Sequence, residues 1–215
     1  MPTKPKRSYD ATKRRERAER ERRATRQRVL AAAQRLFEEK GFTATTIDEI
    51  ATEAGVAVQS VYKAGTSTAE LLQRVVEVVV AGDDEPVLLT DRPTYMGVAD
   101  EPDPVRQIAM SASLVASTQE RSAKVQVALR EAAAVDKTVA ENLAKELESR
   151  HETIRPVVGM IPEEHLRLSH DDAADTVWAI GSTEVFLLLR FRRGWDAEQY
   201  ETWLTRTLTR QLLAD

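Results

Sequence analysis

The chain has 215 residues, with 31 Lys/Arg against 35 Asp/Glu, a formal net charge of −4 and no cysteine. That length supports one or two domains with a real core, and the missing thiols exclude disulfides and thiolate metal sites. Apolar runs reach about five residues, as from Val185 to Leu189, too short to span a membrane, and the basic amino terminus lacks the apolar stretch of a secretory signal.

The charge is unevenly distributed. Residues 1–28 hold twelve Lys/Arg and four Asp/Glu; residues 1–80 hold sixteen against eleven, and residues 81–215 fifteen against twenty-four. Positive potential therefore gathers at the N-terminal end. Residues 1–22 form a basic arm, read as partly disordered (residues 1–10) or as an upstream extension of the first helix. Glu16–Arg20, Arg17–Glu21 and Glu19–Arg23 have the spacing of helix-stabilising pairs. The arm is either a phosphate or minor-groove contact or a solvated charged helix.

Residues 23–81 read as a helix-turn-helix domain. Val29, Leu30, Ala33, Leu36 and Phe37 recur at helical spacing, and Gly41 stands where a helix C-terminal glycine belongs. Thr46-Ile47-Asp48-Glu49 has the form of a capping box opening a second helix with Ile47, Ile50, Ala51 and Ala54 inward. Gly55 ends it, Val56 plugs the turn, and a third helix runs from about Val58 to Ala64, closed by Gly65. Ser67-Thr68-Ala69-Glu70 is a second capping box before Leu71, Leu72, Val75, Val76 and Val79.

Residues 82–103, rich in Asp, Pro and Gly, read as a linker. Residues 104–215 read as a helical domain. Asp103 caps a helix with Pro104 at its first position, running to about Gln119. Further helices are expected over Ser122–Ala134, from Asp136 toward Val158, from Ser169 to Arg193, and after Asp196. Ile161-Pro162 is a break, and Asp171, Asp172 and Arg190, Arg192, Arg193 complement the dipole of the helix between them. No strand is expected, so the fold class is all-α. The stretch Val185–Leu189 is apolar all round and needs a second burial partner, which favours self-association. The alternative is a helix central to its own domain.

Catalytic signals are weak. His165 and His170 lie five apart across a loop and a helix start, poor geometry for a shared metal, and Asp171–Asp172 is explained by the helix dipole. No enzymatic activity, cofactor or metal is expected.

AAAQRLFEEKGFTATTIDEIATEAGVAVQSVY resembles the DNA-binding domain of the TetR family of bacterial transcription regulators, over roughly a quarter of the chain. RFRRGWDAEQYETWLTRTLTRQLL and the linker GDDEPVLLTDRP resemble an actinobacterial-type subgroup. Two departures stand out. Gly65, Thr66, Ser67 and Thr68 replace an aromatic residue followed by Pro-Ser-Lys, and Ala57 replaces the serine that caps the recognition helix.

The resemblance implies a cytoplasmic, nucleoid-associated homodimer that binds a palindromic double-stranded DNA operator, with no membrane partner. It implies a repressor released by a small-molecule effector not identified by the sequence. Base readout would fall to Val58, Gln59, Ser60 and Lys63. Arg26, Thr45, Thr46, Tyr62 and Thr68 would complete the DNA-binding set through backbone contacts. Met110, Leu114, Leu129, Trp178 and Ser182 are candidate effector-pocket residues. The family pairs its last two helices across a two-fold axis, which points to Val185, Leu188, Leu189, Trp203 and Leu204 as the dimer interface. The alternative function is a helical dimeric protein-interaction module with a degenerate DNA-binding head.

Overall fold

The computed structural model describes residues 7–214, and the chain divides into two compact units, Met1–Val75 and Val76–Asp215. The described residues hold α-helices, short 3-10 and π-helical turns and no strand beyond one isolated bridge, Leu166 to Leu213. The all-α expectation is met.

In the first unit, α1 spans Arg7–Lys40, α2 Ile47–Ala54, α3 Val58–Ala64, and α4 begins at Thr68 and ends at Ala81. Of the stretch expected to be disordered, residues 1–6 lie outside the described residues, and residues 7–10 belong to α1. The core is small and continuous. Val29, Ala33 and Phe37 from α1, Ile50 and Ala51 from α2, Val61 from α3, and Leu71, Leu72 and Val75 from α4 are almost wholly buried. Two short helices cannot hold their shape alone, so this shared burial and their caps stabilise them. Thr46 makes the expected capping box. Its hydroxyl accepts from the Glu49 amide at 3.3 Å, and the Thr46 amide donates to the Glu49 carboxylate at 3.0 Å. The second box is shifted. Ser67 accepts from the Glu70 amide at 3.1 Å, but the Glu70 carboxylate receives the Thr66 amide rather than that of Ser67.

In the second unit, the expected linker is partly built. A 3-10 turn, Leu89–Asp91, precedes α5, Pro93–Ala99, with Val98 buried. Arg92 grips Asp83 through two bonds of 2.6 and 2.9 Å, which ties the start of this segment to its helix. A stretch rich in Pro and Asp thus contains a helix, because Pro93 takes the first helical position, where its missing N–H costs nothing.

α6 is one helix, Pro104–Ala133, where two were expected; no proline or glycine interrupts Glu120-Arg121-Ser122. α7 spans Lys137–Gly159, capped by Asp136, and accommodates Pro156 on an exposed face. The expected single helix from Ser169 to Arg193 is three pieces. α8 spans His170–Ile180, α9 Thr183–Leu187, and a π-helical turn covers Leu188–Arg192. The break falls at Gly181-Ser182, because the Ser182 hydroxyl caps a new helix, accepting from the Val185 amide at 3.4 Å. α10 spans Ala197–Leu212 behind an Asp196–Gln199 capping box. Its Tyr200, Leu204, Leu208 and Leu212 fill the core with Ile108, Ala112, Ala173 and Phe186.

Candidate functional site

The helix-turn-helix places α3 with one face sealed and one open. Val61 and Ala64 are buried, Val58 and Ser60 half-buried, and Gln59, Tyr62 and Lys63 exposed. The three exposed side chains carry an amide, a phenol and an ammonium, the groups that read base edges and phosphates. At the start of α3, Ala57 offers no side-chain cap, so the first amides of the helix face outward unsatisfied by protein side chains. Such a terminus favours anions.

Gly55 makes the turn between α2 and α3 with φ 61°, a left-handed conformation that glycine adopts at little cost. Arg28 secures it from α1. Its Nη2 donates to the carbonyls of Ala54 at 2.6 Å and Gly55 at 2.8 Å. Sequence reasoning missed Arg28, whose partners lie 26 and 27 residues away. Arg35 to Glu53 at 2.8 Å and Lys40 to Glu49 also join α1 to α2. The Lys40 ammonium, with the Thr46 hydroxyl, holds the Glu49 carboxyl down at about 2.

The Gly65 departure has a packing reason. A Cβ at Gly65 would sit 2.8 Å from Leu71 Cγ and Cδ2, so a larger residue fits only if Leu71 shifts. Thr68, where the resemblance expects a lysine, is the first residue of α4 and half-buried. Thr66 donates through its amide and its hydroxyl to Glu70, lowering that carboxyl to about 2; Arg74 adds to the effect.

The remaining expected contacts divide. Thr46 is exposed at the N-terminus of α2, and Arg26 is half-buried on α1. Thr45 does not fit its expected role. It is 4% exposed, and its hydroxyl donates to the Gly41 carbonyl at 2.8 Å, so it closes the α1–α2 turn instead of facing a phosphate. The arm continues α1 as an exposed helix, with Arg17 paired to Glu21 at 2.8 Å. Arg20 bonds the backbone carbonyl of Glu16 at 3.3 Å, not its carboxylate. Arg20, Arg22, Arg23 and Arg26 line one open groove with Ser60 and Lys63 of α3, among Glu16, Glu19 and Glu21. The arm and the recognition helix therefore flank a common, mostly cationic concavity.

The second unit holds a partly open cavity of about 270 Å³, close to the lower end of small-ligand sites, about 300 Å³. Ile108, Leu114, Val115, Ile154, Val177 and Leu208 supply its apolar wall. Of the five residues expected there, only Leu114 lines it. Leu129 is core, Met110 is 38% exposed, and Ser182 caps α9. The Trp178 indole donates to the Leu147 carbonyl at 3.2 Å, away from the cavity wall.

The cavity has a polar side that sequence reasoning missed. Gln119 donates to the Gly181 carbonyl at 3.0 Å and accepts from Thr183 at 3.1 Å. Gln126 donates to Glu146 Oε1 at 2.7 Å and accepts from Arg130 at 2.9 Å. Arg150 Nη1 donates to the Trp178 carbonyl at 2.9 Å. Burial pushes the Glu146 carboxyl up and the Arg150 guanidinium down. The signal was present: Gln119, Ser122 and Gln126 recur at helical spacing on an otherwise alanine-rich face of α6.

Two of the three histidines make side-chain bonds. His151 faces Asp175 at 2.7 Å, and His170 meets the Ile161 carbonyl at 2.8 Å. At the expected dimer surface, Leu188 is 59% exposed and Val185, Leu189 and Trp203 are half-buried. Leu204 is fully buried in the core of its own unit and leaves no surface for a second copy. Phe191, not anticipated, is 59% exposed beside Leu188.

The family model described as bacterial regulatory proteins, tetR family, matches residues 29–75. Among solved structures, the chain is similar to SmeT bound to triclosan, at 17% identity and TM-score 0.68, covering 89% of this chain and 93% of that one. It is similar to NalD of Pseudomonas aeruginosa, the secondary repressor of the MexAB-OprM multidrug efflux pump. There the identity is 24% and the TM-score 0.65, covering 89% and 98%. A regulator from Saccharomonospora viridis in complex with choline is similar at 14% identity and TM-score 0.67, covering 88% and 98%. Among curated proteins, none matches.

Proposed function

We propose that the chain, whose residues 29–75 match the family model of tetR-type bacterial regulatory proteins, is a homodimeric TetR-family repressor released from a palindromic operator by a small molecule. The carrying observation is the exposed row Gln59, Tyr62 and Lys63 on a helix whose opposite face is sealed by Val61 and Ala64. A dimer presents that row twice, at a spacing of about 34–36 Å, one turn of DNA. Gln59 pairs with adenine, Val58 touches a thymine methyl, and Lys63 reaches guanine or phosphate. Arg26, Thr46, Tyr62 and Thr68 set the register, and the groove that α1 shares with α3 follows the backbone.

The cavity supports the ligand half of the reading, as do the triclosan- and choline-bound neighbours. Val80 of α4 is part of the cavity wall, and Arg121 donates to the carbonyls of Val79 and Val80 at 3.3 Å each. α4 is a continuous helix from Thr68 to Ala81, so a ligand that displaces its C-terminal end acts on a helix that also supplies the buried Leu71, Leu72 and Val75 of the first unit. Binding then favours dimers whose reading helices no longer match the DNA turn. The protein works in the cytoplasm, on the nucleoid.

Selection of bound fragments from random duplex DNA tests the proposal. Enrichment of a palindrome, with affinity falling steeply as salt rises, is the expected result. Binding without enrichment, or no binding, refutes it and favours a protein-interaction module.

A further inference from the structure

Two buried polar atoms in the cavity wall have no partner: Glu146 Oε2 and Arg150 Nη2. The two residues are one helical turn apart on α7, yet they form no ion pair with each other within 4.0 Å. Glu146 Oε1 is committed to Gln126 and Arg150 Nη1 to the Trp178 carbonyl. The cavity hydroxyls are also used locally. Ser111 donates to the Gln107 carbonyl at 2.9 Å, and Ser122 to the Thr118 carbonyl at 2.8 Å. Beyond them, Arg130 and Glu184 neutralise each other at 2.7 Å.

A buried polar atom without a partner is costly, and a native protein keeps one where something else completes it. Here one free acceptor and one free donor, of opposite formal charge, border the same apolar cavity. We infer that the cavity takes an uncharged amphipathic molecule, whose apolar body fills the space and whose head donates to Glu146 Oε2 and accepts from Arg150 Nη2. A primary amide or a hydroxyl has both capacities in one small group. A ligand carrying net charge compensates one side chain and leaves the other with an uncancelled charge, which burial penalises. This inference rests on the reading of the second unit as the effector-binding part of a regulator.

The test is calorimetric titration of the full chain with four probes of one length: octanamide, N,N-dimethyloctanamide, octanoate and octylammonium. Octanamide is expected to bind tightest, by about tenfold or more over each of the others, since the dimethyl compound lacks the donor and the ions lack neutrality. Glu146→Gln leaves Arg150 alone and turns the preference to octanoate. Arg150→Met leaves Glu146 alone and turns it to octylammonium. Glu146→Gln keeps the side-chain shape, so its outcome decides the matter even if Arg150→Met fails to fold. Wild-type preference for octanoate or octylammonium, equal binding of the dimethyl amide, or no binding of any probe overturns the inference. Operator affinity is measured in parallel. Octanamide binding that leaves DNA affinity unchanged upholds the cavity chemistry and removes the effector role, which separates failure of the regulatory reading from failure of this one.

Discussion

The Arg28 guanidinium, on α1, closes the C-terminus of α2 by donating to the Gly55 carbonyl at 2.8 Å and to that of Ala54 at 2.6 Å. The last carbonyls of a helix lack intrahelical partners and carry the negative end of its dipole, so a cation there satisfies both. The bond holds the turn that sets the angle of the reading helix. Gly55 is hemmed in by it, since a Cβ on Gly55 would meet Arg28 Nη2 at 3.2 Å.

Arg28→Ala is therefore expected to destabilise the first unit by about 1–2 kcal/mol, the lower part of the range for charge-assisted bonds because the site is partly solvated. Gly55→Ala adds the cost of a left-handed backbone, roughly 1–2 kcal/mol. Chemical denaturation followed by circular dichroism measures both. A double variant less destabilised than the sum is the expected signature of their contact. Additive losses would show that Arg28 acts elsewhere.

Ala57→Ser supplies the cap that α3 lacks. The N-cap backbone is already extended, at φ −69° and ψ 146°, so the hydroxyl reaches the amides two or three residues on without rearrangement. The gain expected is about 1 kcal/mol. The variant should melt higher and bind all DNA sequences with similar relative preferences. A lower melting temperature would contradict the cap geometry.

Gln59→Ala tests base reading directly. Gln59 is exposed and makes no bond that the fold depends on, so stability should not change. Loss on the best operator should be about 1–3 kcal/mol, with relaxed preference at one base pair in each half-site. Equal loss on specific and random duplexes would assign Gln59 to backbone contact instead.

Local relationships were legible in the sequence; long-range ones were not. The Thr46–Glu49 and Asp196–Gln199 boxes and the Asp103, Asp136 and Ser169 caps are signals of two or three residues, and each is present. Arg28 to Gly55 spans 27 residues and Gln119 to Gly181 spans 62, and no local pattern announces either. The helix α5 was hidden by a composition that usually marks loops. The break at Gly181-Ser182 was hidden by the apolar periodicity that continues across it. The chemistry of Met110 and Trp178 suits a pocket, but neither lines the cavity. The cavity is defined by which α6 and α7 side chains meet, a property of packing.

The pH response of the first unit follows from its two lowered carboxyls. Glu49 and Glu70 each fall from an ordinary value of 4.5 to about 2. Folding therefore favours their charged forms. That contribution is fully present above about pH 4.5 and is lost as the pH falls through the folded values. Glu49 is exposed and Glu70 half-buried, so salt weakens the ion-pair part more than the capping part. Melting between pH 6 and 2 should show a loss in this window. Glu49→Gln should reduce its slope, because glutamine keeps the capping bonds without the charge. An unchanged slope would place the acid sensitivity in other carboxylates.

In the C-terminal helices, burial separates damage to assembly from damage to folding. Leu188 and Phe191 are each 59% exposed on the π-helical turn. Phe191 meets Phe186 edge-on at 6.4 Å, so its position is fixed. Two large apolar groups side by side in water favour a partner surface. A two-fold axis through such a patch uses it twice, so a charge placed there meets its own copy or a desolvated neighbour. Leu188→Asp and Phe191→Asp should leave a folded monomer, with an unchanged helical signal and weak operator binding, because one half-site contact holds poorly. Leu204→Asp should behave differently. Leu204 is fully buried in its own core, so a carboxylate there costs several kcal/mol and unfolds the unit. Sedimentation with circular dichroism on the three variants distinguishes the cases. A wild-type monomer at micromolar concentration that still binds a palindrome tightly would refute the dimer. A Leu188→Asp protein that stays dimeric would move the interface away from the turn.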